Sequence, residues 1–492
     1  MSKQNQLAWD DIDWFLSNQR VRRYQHRIFK ATYMRKGSLV HKLQMKLVNS
    51  LDAKFVSVQN VVHGGNTENK KVDINLKIRV SHAQRQKIAY SLKLDGKVDS
   101  GQCVSIINLK KQDKSSLLML KVRDLAKQYL VLLALEPEWE AKCELNSYGF
   151  RNNRCVQDAI QAIFTNLSHT EKYVLNADMH TYVKHIDHNV LLAKLNVFPQ
   201  MKNQIRSWLK NGILENYIDY PKSIFTKVLS MPHVGVITPF LVNVAFHGLD
   251  IHLKTWYIET QLQSSLNISS QKGEQINYDI ALIRYTNNFV IISGDLEIIN
   301  AAYHEIEIWL QTMGLESNLN EKIIKSSNEG FNFLGFHIIT LRRNRQHRVK
   351  IHISKASKKA LITTIGILSR SNRSVSAYKF IGIIRPLIVA WGSYFKDCEC
   401  SEDFHQVDYR IFGVLRAWVF RRKSKGLNSR SQIKQKYFPS NKTYIFQGKK
   451  HKDNWILYGQ TIEHGKKVES FLPKLTWIAS DKLVKIRREK LV

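Results

Sequence analysis

The sequence predicts an α+β fold, a sheet backed by helices, with basic helical segments before and after it. Three observations carry this reading. Apolar residues recur at helical spacing near the N-terminus. Between residues 173 and 353, runs of strand and helix character follow in the order strand, helix, helix, hairpin, helix, strand pair. From about residue 352 the pattern turns helical and very rich in Lys and Arg.

In the first segment Val21, Tyr24 and Ile28, then Val40, Leu43, Leu47 and Leu51, mark two or more helices. Arg20, Arg22, Arg23, Arg27 and Lys30 give the first a basic outer face. Residues 63–116 are polar and rich in Gly and Lys, with short alternations such as "VSIINL", and read as weak strands and loops. A helix follows to Leu135, ended near Pro137, which has no N–H to continue it. A loop leads to a helix from Val156 to Leu167, and Tyr173 to Asp178 is a short strand with Asp178 at its end. "NQIRSWLKNGI" is a helix with Gly212 at its C-cap. "MPHVGVITPFLVNVAFHGLDIHL" is a turn feeding a buried helix, and "YDIALIRYTNNFVIIS" is a hairpin with Tyr285-Thr286-Asn287-Asn288 at its tip. "AAYHEIEIWLQTMGLESN" is an amphipathic helix capped near Gly314, followed by a strand pair, "GFNFLGFHIITLRR" and "HRVKIHIS". Further basic helices run through "IIRPLIVAWGSYF" and "FHQVDYRIFGVLRAWVFRRKS". After them "NKTYIFQGKKHKDNWILYG" mixes Lys with aromatics, and "SDKLVKIRREKLV" is a basic tail.

The 492 residues carry 75 Lys+Arg against 41 Asp+Glu, a formal net charge of +34. Such an excess attracts polyanions, and nucleic acid comes first because neutralised phosphates release condensed counterions. An anionic membrane surface is the competing reading, but it calls for one basic amphipathic helix rather than charge along the whole chain. No apolar run reaches the length of a membrane span. The N-terminus, with Asp10, Asp11 and Asp13, is neither a secretory signal nor an acid-poor transit peptide, so the protein is expected to work where it is made. Five scattered cysteines suggest a reducing compartment, and Cys398, Cys400 and His405 match no common zinc spacing.

A sheet-based site for nucleotidyl transfer needs carboxylates that hold two Mg²⁺ ions. Asp178 supplies one at a strand end. The hairpin tip supplies Asn287 and Asn288, whose amides do not offset a metal's charge. Taken alone, an Asn-Asn tip is ordinary turn chemistry, because Asn tolerates positive φ.

The order of segments resembles the group II intron-encoded reverse transcriptase/maturase family, over roughly residues 9 to 480. "LVLLALEPEWEAKCELNSYGFRNNRCVQDAI" is very similar to the family's second conserved block. "KYVLNADMHTYVKHIDHNVLLAKL" looks like the third, where Asp178 matches the first catalytic aspartate. "RYTNNFVIIS" falls on the fifth, where the family has Tyr-Ala-Asp-Asp. "IIRPLIVAWGSYF", "FHQVDYRIFGVLRAWVFRRKS" and "QKYF" resemble the maturase domain X, and "WDDIDW" with "VRRYQHRIFKAT" resembles the N-terminal extension. The resemblance implies right-hand-like fingers and palm followed by a helical thumb and domain X. The expected domains are an N-terminal helical extension over 1–62, degenerate fingers and palm over 63–340, thumb and domain X over 341–445, and a basic C-terminal segment over 446–492.

The departures cluster at the polymerase site. The aspartate pair is Asn287-Asn288, and Pro-Gln-Gly-Gly is Pro232-His233-Val234-Gly235. Phe-Asp is Val183-Lys184, and Arg-Pro-Leu-Gly-Ile-Pro is Ser115 to Leu120, which drops an arginine expected at the triphosphate. The expectation is a splicing cofactor that binds group II intron RNA, with Mg²⁺ present only as part of that RNA. No catalytic residue is expected to be active. The alternative is a residually active RNA-directed DNA polymerase that recruits Asp295 or Glu305. The RNA-binding candidates are Arg20, Arg22, Arg23, Arg27, Lys30, Arg385, Arg416, Arg421, Arg422 and Lys423, while Trp391 and Trp418 read as core. No membrane partner and no DNA-endonuclease domain are expected. "LALEPEWEAK" resembles cyanobacterial and plastid relatives, so a plastid location is expected, with bacterial cytoplasm as the alternative.

Overall fold

The computed structural model describes residues 8–63, 80–99, 111–168, 170–179, 183, 185–214, 235–265, 279–315, 323–343, 346–421, 429–463 and 465–478. These fall into two compact units, one up to Ser326 and the other from Ser327 onward.

The first unit opens with helices α1 (Trp14–Tyr33), α2 (Gly37–Asn49) and α3 (Leu51–His63). Asp13 starts α1, its Oδ1 accepting the Leu16 N–H at 2.9 Å, one of the donors that no helical carbonyl can satisfy. Val21, Ile28, Leu43, Leu47 and Val56 are buried, and these helices pack against a long helix further along the chain. Before it comes α4 (His82–Ser91), a helix where the pattern predicted weak strands and loops. The signal was local: Ser81 and Gln84 close a reciprocal capping box. "VSIINL" lies outside the described residues.

The long helix is α5 (Lys111–Lys142), and it carries Pro137 in its interior rather than ending there. Proline leaves the carbonyl four residues earlier without a donor. That carbonyl, Leu133 O, accepts the Gln25 side chain of α1 at 3.1 Å, and Gln44 of α2 donates to Ala134 O at 3.3 Å. The Gln25 amide replaces the donor that the proline withholds, the Gln44 amide adds a second tie beside it, and the helix runs on.

The palm comprises α6 (Val156–Leu167), β1 (Tyr173–Asp178), α7 (His188–Leu195), α8 (Pro199–Lys210), α9 (Thr238–Ala245), α10 (Leu249–Ser265), β2 (Ile280–Tyr285), β3 (Asn288–Ser293), α11 (Leu296–Gln311) and β4 (Ile323–Ser326). Gly212, at φ +75°, and Gly314, at φ +74°, follow the ends of α8 and α11, where the sequence placed the caps. The sheet is four-stranded in the order β2-β3-β1-β4, with antiparallel neighbours. Phe289 to Ser293 of β3 are all buried, as in a strand covered on both faces. Helix α11 packs on β1 and β3, and α6 packs on β2. One apolar core continues from the N-terminal helices into the palm.

The second unit begins with the sheet β5 (Phe331–Phe333), β6 (Phe336–Arg343) and β7 (Gln346–Ile353). Helices α12 (Lys355–Ser371), α13 (Ala377–Phe395), α14 (Ser401–Phe420) and α15 (Arg430–Tyr437) follow. The Lys-rich stretch after them forms two hairpins, β8 (Thr443–Phe446) with β9 (Lys449–Lys452), and β10 (Tyr458–Glu463) with β11 (Lys466–Phe471). Trp391 and Trp418 are buried, as the sequence reading had them. Trp418 stacks on Phe380 at 4.3 Å, and its Nε1 donates to Asn372 O at 3.1 Å. The basic tail from residue 480 lies outside the described residues.

The Pro137 arrangement makes a double-mutant prediction. Gln25→Leu should cost about 1–2 kcal/mol by urea denaturation, because it strands the half-buried Leu133 carbonyl. In a Pro137→Ala background, the alanine offers its own N–H and the cost should fall by at least about half.

Candidate functional site

The hairpin between β2 and β3 is a two-residue loop, Thr286-Asn287, with Tyr285 and Asn288 paired across its base. Thr286 carries the positive φ, at +59°, and neither asparagine does. The asparagines therefore do not serve the turn through a positive φ of their own. A β-branched residue is a poor choice for that backbone region, so the surroundings must impose it.

They do so through a buried ion pair. Arg284, 2% exposed, sends Nη1 to Thr286 O at 3.1 Å and to Asn243 Oδ1 at 3.3 Å, and Nη2 to Glu144 Oε2 at 3.4 Å. Burial lowers the guanidinium's pKa below its ordinary value, and Glu144 opposes that shift. The other Glu144 oxygen accepts the N–H groups of Gly248 and Asp250 at 2.8 and 3.1 Å, at the start of α10. The segment just after Glu144 joins β2 as an isolated bridge: Tyr148 N donates to Arg284 O, and Arg284 N donates to Asn146 O, both at 2.9 Å. Gly149 then lies against the tip. A Cβ there would sit 2.2 Å from Thr286 Oγ1 and 2.6 Å from Thr286 N, so only glycine allows the approach. Arg151 anchors the far end, with two bonds to Glu140 and one each to the Glu144 and Ser147 carbonyls. The run Ser147-Tyr148-Gly149-Phe150-Arg151, noted above for its resemblance, is thus a brace for the hairpin.

The structure brings Asp178, Asn287 and Asn288 together. Asp178 pairs in register with Asn288, and Met179 N donates to Asn287 O at 2.9 Å. The Asn287 side chain, on a residue 3% exposed, donates Nδ2 to Asp178 Oδ1 at 3.2 Å. An ionised carboxylate only accepts, so the amide nitrogen must face it. Where a metal pair requires a second anion, this site presents a hydrogen-bond donor to the first. Among the described residues no group of three or more His, Cys, Asp or Glu side chains could hold a metal ion. The described residues at the tip supply one carboxylate and do not fit a two-metal centre.

Val183 is wholly buried in the core, in the position where the family carries Phe of Phe-Asp, and Lys184 lies outside the described residues. Ser115 to Leu120 run within the α5 backbone. Pro232, His233 and Val234 lie outside the described residues. Asp295 caps α11 by accepting the Glu297 N–H at 2.7 Å, beyond the far end of β3 from the tip, and Glu305 bonds His252 at 2.7 Å.

Of the basic candidates, Arg20, Arg22, Arg23, Arg27 and Lys30 are all exposed on α1. Arg20, Arg23, Arg27 and Lys30 recur at helical spacing and form one strip. Only Arg20 has an ion pair among the described residues, with Asp52 at 3.4 Å. An adjoining strip holds Phe15, Arg22, His26, Phe29 and Tyr33; Phe15 and Tyr33 are 76% and 78% exposed. The sequence reading missed these rings, although the same periodicity places them. In the second unit Arg416 is exposed on α14 and Arg421 is exposed at its C-cap. Arg385 is half-buried with its guanidinium 4.9 Å from the Phe471 ring centroid, a packing role the sequence did not foresee. Arg422 and Lys423 lie outside the described residues.

Comparison with known proteins agrees with this layout. The N-terminal domain of reverse transcriptase matches residues 9–92, reverse transcriptase (RNA-dependent DNA polymerase) matches 109–338, and the group II intron maturase-specific domain matches 358–438. The chain belongs to the group II intron-encoded reverse transcriptase/maturase family, with right-hand-like fingers and palm followed by a helical domain X. Protein YkfC of Escherichia coli (strain K12) is 26% identical over 258 residues, covering 49% of this chain and 66% of its own length. Maturase-like protein 1 of Euglena gracilis is 22% identical over 416 residues, covering 82% of this chain and 79% of its own. The solved structure of apo telomerase from Candida tropicalis aligns with 58% of this chain and 55% of that one, at 12% identity and a TM-score of 0.27. Among the described residues no helix is long and apolar enough to cross a membrane.

The tip chemistry is open to a direct check. Asn287→Asp sets a second carboxylate against Asp178. The thermal midpoint should drop in neutral buffer and recover in acid, where a shared proton removes the repulsion. A difference between wild type and variant that does not change with pH would show that the two side chains do not meet.

Proposed function

We propose that this protein is a group II intron maturase that binds its intron RNA and stabilises the RNA's catalytic fold, and that it has lost DNA synthesis. The observation that carries the second half is the Asn287 amide donated to Asp178. Phosphoryl-type transfer depends on metal ions held by acids, and removing them costs far more than a few kcal/mol of transition-state stabilisation. The first half is supported by the maturase-specific domain match, by a Euglena relative named maturase-like protein, and by the exposed basic strip on α1. Structured RNA is held through phosphates, 2′-hydroxyls and bases stacked on aromatic rings, and α1 presents cations and rings side by side. The Mg²⁺ of the splicing reaction then belongs to the RNA. A plastid is the compartment this reading favours, on the "LALEPEWEAK" resemblance, with bacterial cytoplasm as the alternative.

A residual polymerase is the second reading, favoured by the retained Asp178. It needs further acids at the tip, and Asp295 and Glu305 are engaged elsewhere.

Crosslinking to total RNA followed by sequencing identifies the intron, and splicing of that transcript with purified protein then measures the activity. Faster excision with protein than without is expected, with no primer extension. Extension abolished by Asp178→Ala would overturn the loss of synthesis, and equal affinity for unrelated RNAs at moderate salt would overturn the maturase reading. Arg27→Ala should weaken intron binding and lower the slope of log K against log salt by about 1, the signature of one phosphate contact.

A further inference from the structure

The function above leaves unused an aromatic and basic surface of the second unit, where α14 meets the two hairpins. On α14, Tyr409 is 65% exposed, and Trp455, from the loop between the hairpins, is 45% exposed. Phe412 stacks on Trp455 with centroids 4.8 Å apart and planes 11° from parallel, and Tyr409 lies 6.3 Å from the same ring. Exposed rings that cluster in this way mark a surface that a partner covers.

The surface is held rigidly. Asp408 of α14 accepts the N–H groups of Leu475 and Thr476 at 2.9 and 3.1 Å, which ties the chain after the hairpins to the helix. Asp453 accepts the Trp455 N–H at 2.9 Å and pairs with Lys474, whose Nζ lies 5.4 Å from the Trp455 centroid. Beside Trp455 is a cavity of about 350 Å³ lined by Asn441, Lys452, Asp453, Asn454 and Trp455. The cavity opens widely to solvent, so a group seated there is covered on one side only. Both Asp453 oxygens are engaged, whereas Lys452 is exposed and has no ion pair among the described residues. The free charge facing the cavity is therefore positive, and the asparagine amides offer donors and acceptors.

A glycine adds an independent observation. Gly413 follows Tyr409 by one helical turn and precedes Arg416 on the same exposed strip of α14. A Cβ there would meet nothing within 4 Å, so packing does not require glycine, which weakens a helix relative to other residues. The bare backbone between a ring and a guanidinium leaves room for a ligand to lie close.

We propose that Trp455, Tyr409 and the adjoining cavity hold an unpaired nucleotide of the bound RNA, its base against the rings and its phosphate on Lys452. The inference rests on the maturase reading and gives it a contact that pairing state controls. A duplex hides its base faces and offers only phosphates and groove edges, whereas an unpaired base can stack.

The test uses the full-length purified chain with a short unstructured oligoribonucleotide and an RNA duplex of equal length. Trp455→Ala and Tyr409→Ala should each weaken single-strand binding by about tenfold while leaving duplex binding unchanged. Gly413→Leu should weaken single-strand binding without lowering the melting temperature, since leucine favours the helix. Single-strand binding unaltered in all three variants overturns the proposal and leaves the rings to another partner. Equal losses for strand and duplex also overturn it, because stacking is then not what was removed. Intron binding that responds to Arg27→Ala but not to Trp455→Ala leaves the maturase reading standing and this inference refuted. A chain that binds no RNA ends both.

Discussion

A guanidinium removed from water must find its anions inside the protein, and the palm is arranged around that demand at Arg284. Glu144 meets it with one oxygen and caps the start of α10 with the other. Asn243 and the Thr286 carbonyl both accept from Nη1, so α9, α10, β2 and the hairpin tip share one network. Removing one partner of such a pair typically costs about 3–5 kcal/mol, because the other charge is left buried alone. This is why the hairpin retains its shape irrespective of what its tip does. Gly149 completes the arrangement by letting the brace lie directly on Thr286, whose left-handed backbone is held in place from both sides.

Scaffold and chemistry separate cleanly here. The interactions that fold the tip are made by Arg284, Glu144, Gly149 and the backbone. None of them requires an acid at 287 or 288. Exchanging an acid for an amide at 287 removes a like-charge neighbour from Asp178 and adds a hydrogen bond to it. The substitution is thus neutral or favourable to the fold. The palm can carry either residue type at 287 without losing its structure.

Much of this was legible in the chain itself. The limits of α6 and β1, the hairpin, and the glycines after α8 and α11 follow from local periodicity and turn chemistry, which a neighbour can tune but rarely reverses. The failures have physical causes that differ from place to place. Pro137 ended a helix in the sequence reading, since a proline's missing N–H is a local fact; the Gln25 amide that compensates for it comes from α1, far back along the chain. The helix at residues 82–91 was overlooked amid polar surroundings although its capping box was present in the letters. Lys449 to Lys452 and the strands beyond them read as a basic segment because alternation is weak when both faces of a hairpin are polar.

At the site the division is sharper. The sequence by itself determined that positive charge dominates and which segments follow one another, because composition and order need no coordinates; that two acids are absent from the tip followed from its resemblance to the family pattern. Only the tertiary structure decided that Asn287 turns its amide onto Asp178, that Thr286 rather than an asparagine bends the chain, and that Arg385 packs on a ring. It also decided that Tyr409 and Trp455, far apart in sequence, stand together. Each of these depends on a contact between distant segments, and such contacts are selected by burial and by the need to satisfy polar groups away from water, neither of which a single stretch of chain can express.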